Sequence, residues 1–275
     1  MSIIKAGMVA CSNGIRPEAG PGIRRLTEVL EKSGCQVVQS PYIYGKNGPF
    51  SGTGQERARA LMDMYRDPEI REIYDISGGD MANEVLDDLD YEVIRESPAT
   101  FWGYSDLTTV INAIYTMTGK ASVLYQIRNL TGSFEKIQQQ RYMDRKELFH
   151  LDYKMIRGTS MDGIVVGGNI RCFLKLAGTR YFPLLTGRIL LLEALGGEVP
   201  QMVTYLNQLK QLGAFEQVSG ILLGTFSVMD GSLCQPDIET LVKMYGGDQV
   251  PVARTLEIGH GEDAKAIIIG KKYSF

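Results

Sequence analysis

Histidine is nearly missing from this chain: His150 and His260 are the only two in 275 residues. Cysteine is sparse as well. Cys11, Cys35, Cys172 and Cys234 lie far apart, in no Cys-x-x-Cys pair. That argues against a Cys/His zinc site. Four cysteines in a chain this long also make no disulfide framework. No window approaches 18 apolar residues; ILLL at 189–192 and AIII at 266–269 are the strongest runs, so no membrane-spanning helix is expected. Charge of one sign is not in excess either, with 29 Lys plus Arg against 32 Asp plus Glu and a net charge of -3. Such a balance supplies no general attraction to nucleic acid or to an anionic membrane. The motifs G-x-x-x-x-G-K-[ST], H-E-x-x-H and G-x-G-x-x-G are absent. We therefore expect no metal and no cofactor. Met1–Gly14 holds one lysine and too short an apolar stretch for a secretion signal, which predicts a cytoplasmic protein.

What is present describes an ordinary globular chain, 44% hydrophobic and 22% charged. Its length suits one large domain or two small ones. The 31 glycines are more than usual, a sign of tight turns and close backbone approaches. The first half alternates strand and helix signals. Apolar runs fall at Ile4–Ala10, Gln36–Gln39, Ile70–Ser77 and Ala99–Tyr104. Between and after them lie helical patterns at Gly22–Lys32, Gly54–Arg66, Ala82–Leu89 and Leu107–Thr118. Strand, helix, strand, helix implies a parallel sheet with crossover helices. Gln126–Lys154 is polar and charged with no sheet pattern, and reads as a connector or lid. Beyond it, Gly163–Gly168, Arg188–Glu193, Gly220–Thr225 and Ala266–Gly270 read as strands of a smaller, β-rich α+β domain. Helices are expected at Ile170–Leu176 and Pro200–Leu212. The expected division is residues 1–125, a connector at 126–160, and 161–275.

Several short segments carry chemical potential. In Phe101-Trp102-Gly103-Tyr104-Ser105-Asp106-Leu107 a strand meets a helix at a serine. A serine on such a turn has an exposed hydroxyl, and the next amide, that of Asp106, stands at a helix start where it can stabilise an oxyanion. The same serine would serve equally as a helix cap. Gly78-Gly79, after the strand ending at Ile76, would open at the same sheet edge. Leu256-Glu257-Ile258-Gly259-His260-Gly261 exposes a histidine between two glycines. His150, in the polar connector, reads as a solvated loop residue. Glu193 ends the run Ile189-Leu190-Leu191-Leu192, where a carboxylate is costly to bury without a partner such as a histidine. Glu198 and Glu257 are the other acids that could orient the base. Gly167-Gly168-Asn169 is a further turn that could face a cleft.

In order along the chain, GGD at 78–80, GYSDLT at 103–108, GGN at 167–169, GT at 178–179, ILLLE at 189–193 and GH at 259–260 resemble the LD-carboxypeptidase family of serine peptidases. That family includes muramoyl-tetrapeptide carboxypeptidases and microcin C resistance peptidases. The resemblance implies a flavodoxin-like α/β amino-terminal domain and a smaller carboxy-terminal one. It also implies a metal-independent Ser-Glu-His triad of Ser105, Glu193 and His260, with oxyanion amides at Gly79 and Asp106. Gly78, Asp80 and Asn169 would then contact a small peptide substrate, and the protein would be a homodimer. Departures fall on the substrate-side loops. Ser77-Gly78-Gly79-Asp80-Met81 replaces the cell-wall enzymes' Arg-Gly-Gly-Tyr-Gly, and Asn83 is closer to the microcin-resistance branch. Tyr125-Gln126 replaces a Gly-Pro, and Ala194 replaces an acid. The readings carried forward are murein tetrapeptide cleavage, cleavage of peptidyl or aminoacyl nucleotides, and a non-catalytic ligand-binding protein.

Overall fold

The computed structural model describes residues 4–275; Met1–Ile3, the head of the amino-terminal segment read above, lie outside the described residues. The first half forms β1 (Ile4–Val9), β2 (Cys35–Gln39), β3 (Ile70–Asp75), β4 (Thr100–Gly103) and β5 (Ser122–Leu124). All pair in parallel, in the order β5-β4-β3-β1-β2. The crossovers include α1 (Gly20–Lys32), α2 (Gly54–Arg66), α3 (Tyr91–Glu96) and α4 (Thr108–Thr118). α1 buries Ile23, Leu26 and Leu30, a stripe spaced by three and four residues as an amphipathic helix requires. α2 starts with a capping box in which Thr53 and Glu56 satisfy each other's backbone N–H groups, a strong local stop-start signal.

The second half builds another six-stranded sheet. Its members are β6 (Lys154–Arg157), β7 (Asp162–Asn169), β8 (Arg188–Ala194), β9 (Gly220–Phe226) and β10 (Val252–Arg254), with a last strand given below. β7 through β10 run parallel, and β6 adds an antiparallel edge. The parallel strands are apolar on both faces: Ile189–Leu192 are all fully buried, as expected where helices cover both sides.

Two expectations need correcting. The strand near Ala266–Gly270 is β11 (Ile267–Ile269), and it does not join the second sheet. It pairs antiparallel with β5 and so completes the first sheet. The chain then turns back, and β12 (Lys272–Ser274) closes the second sheet against β7. The carboxy terminus therefore laces the two halves together. Residues 126–154, expected as a polar connector or lid without regular structure, are helical and packed. They hold α5 (Glu135–Met143) and α6 (Arg145–Phe149), and Ile127, Leu130, Tyr142 and Leu148 bury themselves with Tyr74 and Trp102 on the outer face of the first sheet. Their polarity misled because the buried apolar residues are few and set among exposed charged ones.

The largest core cluster lies between the sheets. It joins Ile111 and Ile114 of α4 to Val165, Leu191 and Ile258. The sheets thus share one core, and their carboxyl ends, with the loops they carry, meet across it.

Candidate active site

β4 ends at Gly103 and the chain turns into α4 through Tyr104, Ser105 and Asp106. Ser105 sits at φ 54, a left-handed conformation that costs an L-residue roughly 1 kcal/mol or more. Packing enforces it, because Asp106 and Leu107 on the other side of the turn are completely buried. The strained turn lifts the Ser105 hydroxyl clear of the backbone. The Asp106 amide lies in the first turn of the helix, where N–H groups lack an intrahelical acceptor.

His260 arrives on the loop before β11. Its ring is held between two partners: Nδ1 lies 2.6 Å from Oε2 of Glu193, and Nε2 lies 3.1 Å from Oγ of Ser105. Gly259 precedes it at φ 146, and a Cβ there would stand 1.9 Å from Thr225 Oγ1. Only glycine lets this loop reach the cleft. The Tyr104 ring lies 4.5 Å from the imidazole, centroid to centroid. Burial, reinforced by the Glu193 charge, pushes the Tyr104 phenol far above its ordinary pKa, so it stays neutral beside the histidine.

Glu193, 1% exposed, is placed by β8, whose parallel pairing sets Asn169 of β7 beside it. Its other oxygen, Oε1, has no protein partner among the described residues. The hydrogen bond to His260 is therefore what compensates the burial of this carboxylate. Glu198 and Glu257 are engaged elsewhere. Glu198 caps the helix Val199–Gln211, and Glu257 pairs with Lys265 at 2.8 Å. His150 is exposed and faces Asp152.

Beneath this relay lies a buried polar frame that the sequence did not announce. The Asp106 carboxylate, fully buried, accepts from Ser12 Oγ (2.7 Å) and the Ala82 amide (2.8 Å) through one oxygen. Its other oxygen accepts from Lys175 Nζ at 2.6 Å. Asp75, at the end of β3, accepts from the amides of Cys11 and Ser77, each at 2.8 Å. Burial raises the Asp75 carboxyl above its usual range, although these hydrogen bonds oppose that shift. The loops after β1, β3 and β4 are thus tied into one platform. Gly79 is part of it, at φ 130, with Asn13 so close that a Cβ would fall 2.2 Å from its side chain.

Gly78 and Gly79 line a cavity of about 530 Å³ with Tyr104, Ser105 and His260. Asn169 lines a second cavity that also reaches Ser105, and its side chain caps the helix Ile170–Leu174, labelled α7, by accepting from the Cys172 amide. Asp80 lines neither cavity. It is held by Arg171 and Lys175 of the opposite half, which keep its carboxyl low against the opposing effect of burial. Gly167 and Gly168 do not face the cleft as a turn. They dock β7 onto α4, where Asn112 exchanges two hydrogen bonds of 2.9 Å with Gly167. Lys175 and Arg128, which lines the larger cavity, carried no motif signal. A lone lysine in a helix, or an arginine on a polar stretch, is read as solvated until a partner or a cavity is seen.

No group of three or more His, Cys, Asp or Glu among the described residues could hold a metal ion. No described helix is long and apolar enough to cross a membrane.

Known proteins resemble this chain over most of its length. The probable murein peptide carboxypeptidase of Bacillus subtilis is 29% identical, over 94% of this chain and 86% of its own. The microcin C7 self-immunity protein MccF of Escherichia coli is 26% identical, over 90% of this chain and 83% of its own. A solved structure of MccF superposes with a TM-score of 0.89 at 22% identity, covering 100% of this chain and 93% of that one. The muramoyltetrapeptide carboxypeptidase of Oxalobacter formigenes gives 0.82 at 21%, covering 98% and 94%; at such identities these two superpositions speak for the fold. The model of the LD-carboxypeptidase N-terminal domain matches residues 6–125 and that of the C-terminal domain residues 162–275. The two sheets and the cleft between them are thus the shared architecture of a known group of peptidases, and the chain belongs to the LD-carboxypeptidase family.

Proposed function

We propose that this protein is a serine carboxypeptidase that removes the carboxyl-terminal residue of a short murein-type peptide across an L,D amide bond. The observation that carries the reading is the continuous relay from Ser105 Oγ through His260 to Glu193, at 3.1 and 2.6 Å. His260 Nε2 takes the hydroxyl proton as Ser105 Oγ attacks the amide carbonyl. Glu193 holds the ring by its Nδ1–H and stabilises the imidazolium that forms. The amides of Asp106 and Gly79 receive the oxyanion, and their common platform fixes both donors before substrate arrives. Water then hydrolyses the acyl-enzyme with His260 again as base. Gly78 and Asn169 border the substrate, and Asp80 braces the loop from behind. No metal enters these steps.

Residues 1–125 would supply the nucleophile, 126–160 the connection, and 161–275 the base and its acid. We place the enzyme in the cytoplasm as a homodimer on the family resemblance. A second reading, an amidase acting on peptidyl or aminoacyl nucleotides, is favoured by the 26% identity to the microcin C7 self-immunity protein. The experiment is a mass-spectrometric assay of murein tetrapeptide against an aminoacyl sulfamoyl adenosine, together with fluorophosphonate labelling. Wild-type protein should release the terminal D-residue and be labelled; Ser105→Ala should do neither. Turnover of the nucleoside compound alone would select the second reading, and a protein that is neither labelled nor active would be a ligand-binding relative.

A further inference from the structure

Ser105 stands where two cavities meet. One, of about 530 Å³, is lined by Arg128, His260 and Glu262 among others; the other, of about 390 Å³, by Asn169, Arg171, Gln201 and Tyr205. Leu195, which is 54% exposed, lines both. A peptide whose scissile carbonyl sits at Ser105 must put its acyl part in one cavity and its leaving residue in the other. Proton transfer decides which. When the tetrahedral intermediate collapses, the C–N bond breaks and the proton taken from Ser105 passes from His260 Nε2 to the leaving nitrogen. His260 lines the larger cavity and not the smaller, so the leaving amine belongs in the larger one.

The charges there match a leaving amino acid. Arg128 is exposed, and its only side-chain partner among the described residues is a neutral one, Gln126, at 3.4 Å. No described carboxylate forms an ion pair with it. Arg171, the cation of the smaller cavity, is committed to Asp80. Glu262, the acid of the larger cavity, is tied to the Ser133 amide at 2.8 Å. An open guanidinium is a fork of donors suited to two carboxylate oxygens.

We propose that Arg128 is the specificity residue that binds the free α-carboxylate of the leaving amino acid, while the acyl peptide lies along Asn169, Gln201 and Tyr205. Glu262 then disfavours a leaving residue with an acidic side chain. The proposal rests on the carboxypeptidase reading and gives it a direction: the larger cavity is the exit side.

The test compares murein tetrapeptide with its carboxyl-terminal carboxamide on the full chain, for wild type, Arg128→Gln, Arg128→Lys and Arg171→Gln. Fluorophosphonate labelling of Ser105 confirms an intact nucleophile in each. Wild type should prefer the free acid. In Arg128→Gln, kcat/KM on the free acid should fall by roughly 10- to 100-fold, the worth of a charge-assisted hydrogen bond, chiefly through KM. The carboxamide should lose far less, so the preference collapses. Arg128→Lys should keep part of it. A preference that survives in Arg128→Gln, or one lost in Arg171→Gln instead, overturns the assignment and leaves the peptidase intact. Wild-type protein that is labelled but cleaves neither peptide overturns the carboxypeptidase reading and this assignment with it.

Discussion

Lys175 bridges the two halves of the molecule beneath the cleft, and replacing it by methionine isolates one electrostatic link. Methionine keeps most of the apolar stem, so the loss is chiefly of the ammonium. Asp106 would remain at 0% exposure with only Ser12 and Ala82 as donors. Removing one partner of a buried ion pair costs about 3–5 kcal/mol. Because the Lys175 side chain is itself 20% exposed, solvent screens part of this, and about 3 kcal/mol is the expected loss. For a chain of this size that corresponds to roughly 6–12 °C in Tm. Activity should suffer as well. In the proposed mechanism the Asp106 amide is one oxyanion donor, and its carboxylate anchors the loop carrying the other through Ala82; a misplacement near 1 Å can cost about 10²-fold in rate. The assay is thermal unfolding plus peptide hydrolysis for Lys175→Met, Asp106→Asn and the double variant. If the buried charge is the problem, Asp106→Asn in the Lys175→Met background should restore part of the lost stability. A Tm change under about 2 °C for Lys175→Met, or a double variant less stable than Lys175→Met alone, would refute the argument.

Other changes probe the relay and one helix end. Glu193→Gln keeps the size but removes the charge that stabilises imidazolium; kcat should fall roughly 10²-fold or more with KM little changed and the fold retained. Near wild-type turnover would leave Glu193 as a strand end. Ser105→Ala and His260→Ala should each cost on the order of 10³-fold or more in kcat, and the double variant should be little worse than either, as for groups acting as one unit; multiplicative losses would contradict a shared role. Asp237 caps the helix Ile238–Tyr245, and its hydrogen bonds from Thr240 hold its carboxyl below the ordinary value. Its stabilisation is therefore present above the unfolded-state pKa and is lost as pH falls through the lower folded-state value. Asp237→Ala should cost about 1 kcal/mol at pH 7, and melting curves of the two proteins should converge in acid; a constant gap would show that the charge plays no part.

The local pieces can be read along the chain. Gly103, Ser105 and the helix beginning at Thr108 are legible because a strand end, a strained turn and a helix start each leave marks within a few residues. Glu193 and His260 are legible for the same reason, one as a carboxylate closing an apolar strand, the other as a histidine held open by glycines. The two buried parallel strands Asp162–Asn169 and Arg188–Ala194 declare themselves through continuous apolar runs. Which pieces meet depends on long-range pairing and packing. β5, β10 and β11 are three residues each, too short for a period to show, and β11 crosses to the first sheet because its partner is set by long-range pairing with Ser122–Leu124. The residue pattern alone leaves Glu193, Glu198 and Glu257 as possible partners of the base; the fold brings Glu193 Oε2 to 2.6 Å from His260 Nδ1 and engages the other two elsewhere. Lys175 and Arg128 look like surface cations in the sequence. One became the counter-ion of a buried carboxylate and the other the cation of a cavity, because charge pairing depends on distance in space, and the chain brings Lys175 to Asp106 from 69 positions away.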